Sequence, residues 1–141
     1  MKKYDFLPHT ADAKFVAYGK TCDEAFANCA VAMFSVMVVP ETVKPKIKKL
    51  LKIEAEDLES LVYDWLEHLL VLLDSENFIL SSVGRIVISK IDEGYLLDAE
   101  FTGDTISDDY DILGFVKAVT YNDMEIKEKD GVWHITVVVD R

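Results

Sequence analysis

Arg85-Ile86-Val87-Ile88-Ser89-Lys90-Ile91, then Asp92-Glu93-Gly94, then Tyr95-Leu96-Leu97-Asp98-Ala99-Glu100-Phe101 is the stretch that decides the fold. The second run alternates cleanly, with Tyr95, Leu97, Ala99 and Phe101 inward. A period of two is the pattern of a half-buried strand. Asp92-Glu93-Gly94 supplies a turn between the two runs, so they read as an antiparallel hairpin. A second hairpin closes the chain. Met124 and Ile126 face inward on one arm, Asp130-Gly131 makes the turn, and Trp133, Ile135, Val137 and Val139 are the inward set of the last strand. On that parity His134 and Asp140 are exposed.

Toward the N-terminus the pattern changes to a helical one. Thr21-Cys22-Asp23-Glu24 is a capping box, with Thr21 as N-cap and Glu24 reaching back. The helix behind it buries Phe26, Cys29, Ala30, Met33 and Met37, and Pro40 ends the run. Asp57 caps a second helix running to about Glu76, whose Leu58, Leu61, Val62, Trp65, Leu66, Leu69, Leu72 and Leu73 form a broad apolar stripe. Burying each of these side chains contributes about 1.5–3 kcal/mol before conformational entropy is subtracted. Asp64 and His68 share another face of this helix and are spaced to pair.

Three extended segments complete the inventory. Pro8 restricts Asp5-Phe6-Leu7-Pro8 to an edge or a strand end. Lys14-Phe15-Val16-Ala17-Tyr18 is a strand closed by Gly19. Ile47, Leu51 and Ile53 lie on one face of a third strand, with lysines decorating the rest. Such lysines guard an edge strand against aggregation; the functional alternative is a local anion or nucleic-acid contact. Two helices in the first half and later strands joined as hairpins indicate an α+β class. The expectation is one two-layer domain over residues 1–141, with two helices packed on one face of a mixed, largely antiparallel sheet.

Bulk properties narrow the function. The chain has 141 residues and is 50% hydrophobic, enough for a real core and too apolar for disorder. Apolar runs fall short of the roughly 20 residues of a membrane span, and Met1-Lys2-Lys3-Tyr4-Asp5 has no signal-peptide core. A cytoplasmic protein without a membrane partner is expected. Cys22 and Cys29 lie about two turns apart on one helix face, too far for a disulfide, so buried free thiols are expected. The net charge is −11. Free nucleic-acid binders present a positive face, so stable direct nucleic-acid binding is not expected. The acidic balance favours a metal ion or a basic protein surface as partner, or serves solubility alone, the plainer reading on charge.

Phosphate-binding glycine loops, zinc cysteine pairs and a nucleophile elbow are missing. The chemical resource is carboxylate. His9-Thr10-Ala11-Asp12 joins the first two extended segments, and Val137-Val138-Val139-Asp140-Arg141 ends the chain. If these ends meet, Asp12, Asp140 and the terminal carboxylate of Arg141 supply oxygen donors only. Such donors select calcium, magnesium or manganese. Two aspartates brought close repel unless a cation sits between them. His9 would either orient one carboxylate by hydrogen bond or simply pack beside Pro8. The plainer reading makes Asp12 a turn residue and Asp140 a solvated chain end. The acidic loop from Gly103 to Asp111 fails the spacing of an EF-hand and is expected to be exposed, either meeting a basic partner or simply staying in water.

These residues together resemble the archease family, the small accessory proteins of RtcB-type tRNA-splicing RNA ligases. The likeness rests on His9-Thr10-Ala11-Asp12, the capped Gly19-Lys20-Thr21, the Leu61 to Leu73 helix centred on Trp65-Leu66, and Lys117-Ala118-Val119-Thr120-Tyr121 with the closing Val-Asp. It spans essentially the whole chain. One departure is Asn122, where the family often has histidine. The resemblance implies a protein cofactor, not an enzyme, which promotes guanylylation of the ligase's active-site histidine and multiple turnover in tRNA splicing. It implies a divalent metal, calcium or magnesium/manganese, held by Asp12, Asp140 and Arg141, and a functional role for Lys117. Two other classes compete: a chaperone-like protein-binding module and a stand-alone metal-dependent phosphohydrolase.

Overall fold

Gly19 marks the first forced point of the fold. A Cβ there would collide with the main chain of Ala25 and Thr21, so only glycine lets strand and helix meet this closely. The computed structural model describes residues 1–9 and 12–141. Among the described residues the order is β1 (Tyr4–Leu7), β2 (Ala13–Gly19), α1 (Cys22–Ser35), a 3₁₀ turn (Pro40–Thr42), β3 (Ile47–Ala55), α2 (Leu58–Glu76), β4 (Phe78–Ile91), β5 (Gly94–Thr105), β6 (Ala118–Val119), β7 (Glu125–Lys129) and β8 (Val132–Asp140).

The α+β class with two helices is what the structure shows. The strands divide into two sheets, however, where the sequence pattern suggested one. β1, β2, β8 and β6 pair in that order, with β7 also on β8; β3, β5 and β4 form the second sheet. Every pairing is antiparallel, which corrects the expected mixed sheet. α1 packs on β2 and β8 of one sheet and on β4 of the other, and α2 also touches both sheets. Each helix is therefore apolar over a wide arc, more than a single sheet face requires.

The helix ends follow the capping chemistry. The Glu24 N–H donates to Thr21 Oγ1 at 3.1 Å, and Glu24 Oε1 accepts from the Lys20 N–H at 3.1 Å. The Ser60 N–H donates to Asp57 Oδ1 at 2.7 Å, and Asn77 ends α2 in the left-handed conformation at φ 55°. Trp65 is fully buried, and its indole N–H donates to the Phe26 carbonyl at 3.0 Å, tying α2 to α1. Phe101 of β5 meets the Trp65 and Phe78 rings edge-on.

β5 buries Leu97, Ala99 and Phe101, with Tyr95 half-buried, as its alternation requires. β4 is longer than the Arg85–Ile91 run, because two register shifts, between Leu80 and Ser82 and between Val83 and Arg85, break its parity. β3 is an edge strand. Its Lys48 and Lys49 pair with Glu100 at 3.2 Å and Glu76 at 2.6 Å. In the closing turn Asp130 and Gly131 both have positive φ, 54° and 76°, as a type I′ hairpin demands. His68 departs from its expected pairing: its Nδ1–H donates to the Asp64 main-chain carbonyl at 2.8 Å, one helical turn back, instead of meeting the carboxylate. No helix among the described residues is long and apolar enough to cross a membrane.

Candidate functional site

The β2–β8 ladder runs from Gly19 opposite Trp133 to Ala13 opposite Val139. One residue further, Asp12 immediately precedes β2 and Asp140 is the last residue of β8. Two acids from opposite ends of the sequence thus stand at one end of the five-stranded sheet. Like charges brought together at a strand end are destabilising unless something intervenes.

Asp140 is half-buried, not a solvated chain end. β6 covers it: Ala118 pairs with Asp140, and the Lys117 N–H donates to the Asp140 carbonyl at 2.8 Å. Parity along β8 alone does not reveal this, because β6 is only two residues long. Lys117 keeps its side chain exposed beside the aspartate.

His9 leans on Asp12, with Nδ1 3.8 Å from Oδ2 and both side chains about three-quarters covered, at 28% and 26% exposure. That separation suits an orienting electrostatic contact better than a direct hydrogen bond. Thr10 and Ala11, the middle of the His-Thr-Ala-Asp segment, lie outside the described residues. His9, Asp12 and Arg141 line one cleft of about 470 Å³ with Lys14, Ser35 and Val36.

Ser35 and Val36 are the cleft residues that sequence reading missed. They are the end of α1, whose last turn carries no basic side chain. The C-terminus of a helix carries partial negative charge, which favours a cation nearby. The Ser35 hydroxyl donates to the Ala32 carbonyl at 2.6 Å. Lys14 is drawn aside by Asp123, Nζ to Oδ2 3.4 Å. Among the described residues, no three side chains of His, Cys, Asp or Glu cluster as a metal site. A hard cation at this end would have two side-chain carboxylates and the helix terminus; any third strong donor is main-chain oxygen. That oxygen-rich, sulfur-free set fits calcium, magnesium or manganese.

Beyond this end, the outer face of the same sheet carries His134, half-buried instead of exposed. Its ring meets Tyr18 edge-on at 5.1 Å, and its Nδ1–H donates to the Val132 carbonyl at 3.1 Å. The Tyr18 hydroxyl donates to Asp5 Oδ2 at 2.9 Å. Hydrogen bonds from Tyr18 and then Lys2 hold the Asp5 carboxyl below its ordinary range, while burial and Asp5 raise the Tyr18 phenol. Cys22 and Cys29 are free thiols. Burial, aided by Asp23, pushes Cys22 up to about 11, and burial raises Cys29 further. Neither is set up as a nucleophile.

Comparison with known proteins gives a consistent result. A profile of the Archease protein family matches residues 4–140. Protein archease of Methanothermobacter thermautotrophicus is 40% identical over 140 residues, covering 99% of both chains. Protein archease of Thermococcus kodakarensis is 39% identical over 142 residues, again covering 99% of both. The solution structure of protein 1598 of Methanobacterium thermoautotrophicum superposes with a TM-score of 0.86 at 36% identity, over 100% of each chain. The crystal structure of an archease from Thermotoga maritima, described as a possible chaperone, has a TM-score of 0.61 at 19% identity, covering 96% of this chain and 94% of that one. At that identity the likeness is one of fold.

Proposed function

The chain belongs to the archease family, and we propose that it serves as a non-enzymatic protein cofactor of an RtcB-type tRNA-splicing RNA ligase. It acts by promoting guanylylation of the ligase's active-site histidine, so that the ligase turns over repeatedly. The observation that supports this reading is the β2–β8 ladder, which ends one residue short of Asp12 and Asp140, with Asp12 in the cleft beside the C-terminus of α1.

Asp12, Asp140 and a main-chain oxygen of Arg141 would hold a divalent ion, calcium or magnesium/manganese. When bound, such an ion supplies charge neutralisation for a phosphoryl group undergoing transfer. The chain's own residues do the positioning. Asp140 is held in β8 by its pairing with Ala118 of β6, and Asp12 stands one residue before β2, so both sit at one end of the sheet before any partner arrives. His9 restrains the Asp12 carboxylate. Lys117, tied by its main chain to Asp140 and exposed in its side chain, reaches outward as a fixed positive charge toward a triphosphate. The acidic surface otherwise repels free nucleic acid, and the partner is a protein.

The test is a ligation assay with limiting ligase and sub-stoichiometric protein, comparing wild type with Asp12→Ala and Lys117→Ala. Restored multiple turnover by wild type, lost in Asp12→Ala and weakened in Lys117→Ala, supports the reading. Equal stimulation by a folded Asp12→Ala variant refutes the role of this end. Phosphoester hydrolysis by the protein alone with manganese would point instead to a phosphohydrolase. Stimulation that persists in chelator would point to a chaperone-like module.

A further inference from the structure

Between β5 and β6 the segment 106–117 forms no regular element, yet it is firmly held. Tyr110 and Val116 are buried, and Ile106 and Ile112 pack against the core. The Tyr110 hydroxyl donates to Asp104 Oδ2 at 2.5 Å and accepts from the Lys44 N–H at 3.1 Å. The Leu113 N–H donates to the Met37 carbonyl at 2.7 Å, and the Lys117 N–H to the Asp140 carbonyl. The acidic loop expected to be exposed is therefore part of a fixed feature with an inner and an outer side.

The outer side is unusual. Leu113 and Phe115 are 63% and 55% exposed and alternate with less exposed neighbours, Ile112 and Gly114 half-buried and Val116 buried. Large apolar side chains displayed on an immobilised backbone indicate contact with another molecule. Asp108, Asp109 and Asp111 flank them, exposed, and none joins an ion pair among the described residues. The same run ends at Lys117, on the rim of the candidate metal end.

We propose that this segment is a docking edge for a protein surface offering an apolar socket flanked by lysine and arginine side chains. Resting on the function proposed above, that surface is the ligase's, next to its nucleotide site. Leu113 and Phe115 anchor the contact, and aromatic anchors of this kind dominate interface energetics. The three aspartates steer a basic partner into register. A second copy of this chain is a poor occupant, because it would bring the same carboxylates face to face. Docking here places the Asp12–Asp140 end against the partner without any rearrangement of the sheet.

The experiment measures binding to immobilised ligase and ligase stimulation for four proteins: wild type, Leu113→Ser/Phe115→Ser, Asp108→Asn/Asp109→Asn/Asp111→Asn, and Asp12→Ala. The expected result is a loss of at least about tenfold in affinity for the double serine variant, the scale of a hot-spot pair. Its melting temperature stays that of wild type, since both side chains are already in water. The triple asparagine variant keeps its dissociation rate and shows a weaker salt dependence of its association rate. Asp12→Ala binds normally and does not stimulate. Wild-type affinity in the double serine variant overturns the edge alone and leaves the ligase reading standing. A wild-type protein that neither binds nor stimulates overturns the ligase reading and the edge with it. Self-association of wild type that the double serine variant abolishes assigns the edge to a second copy and overturns the proposal.

Discussion

Ala13 stands opposite Val139 in the β2–β8 ladder, at the last step before both strands reach an aspartate. That pairing brings two stretches far apart in sequence, each with an acid one residue on, to the same end of the sheet. It depends on Phe15, Ala17, Ile135, Val137 and Val139 all being buried on the inner face, which fixes the register. A slip of one residue would turn that face to water and separate the acids.

The helix pair underneath has its own test. Trp65→Phe removes the indole N–H that reaches the Phe26 carbonyl and leaves unfilled volume between α1, α2 and β5. A loss of about 1–3 kcal/mol in urea unfolding is expected from the lost hydrogen bond and the cavity. A loss within the scatter of surface substitutions would show that the indole is not the tie between the helices.

The thiols report on packing. With Cys22 raised to about 11 and Cys29 higher, little thiolate is present at neutral pH. Native protein treated with iodoacetamide near pH 8 should resist alkylation at both positions, and both should react on unfolding. Prompt modification of Cys29 in native conditions would mean that α1 opens readily.

The Asp104–Tyr110 contact makes stability depend on pH at both extremes. The Tyr110 hydroxyl, with the Thr105 N–H second, holds Asp104 below its ordinary 3.8, and Asp104, with burial second, holds Tyr110 above its ordinary 10.0. The Asp104 contribution is present above 3.8 and lost as pH falls through the depressed value; the Tyr110 contribution is present below 10.0 and lost as pH rises through the raised one. Tyr110→Phe should therefore be less stable than wild type at neutral pH, with the gap closing toward strong acid and strong alkali. Denaturant midpoints measured across the pH range check this, and a constant gap would count against the contact.

Much of the fold was legible because its signals are local. Thr21 and Asp57 announce their helices, Asp130-Gly131 announces its turn, and the alternation of β5 needs only its own residues. What stayed hidden depends on partners distant in sequence. The division into two sheets rests on strand pairings distant in sequence, β2 with β8 and β3 with β5. The length of β4 was masked by register shifts around Ser81 and Gly84. Asp140 reads as exposed by parity until β6 is laid across it, and Tyr110 looks like loop until Asp104 and the Lys44 main chain are found around its hydroxyl. At the candidate site, Asp12, Asp140 and His9 were readable as residue types, whereas the contribution of Ser35 and Val36 comes only from the path of α1.

The most direct test of the shared-cation site is calorimetric titration of the purified protein with calcium and with manganese, for wild type, Asp12→Asn and Asp140→Asn. One ion bound per chain by wild type, with affinity reduced at least about tenfold in each variant while the melting temperature without metal is maintained or raised, is the predicted result; relief of like-charge repulsion gives that sign. Undiminished binding in either variant, or no binding by wild type, would contradict it.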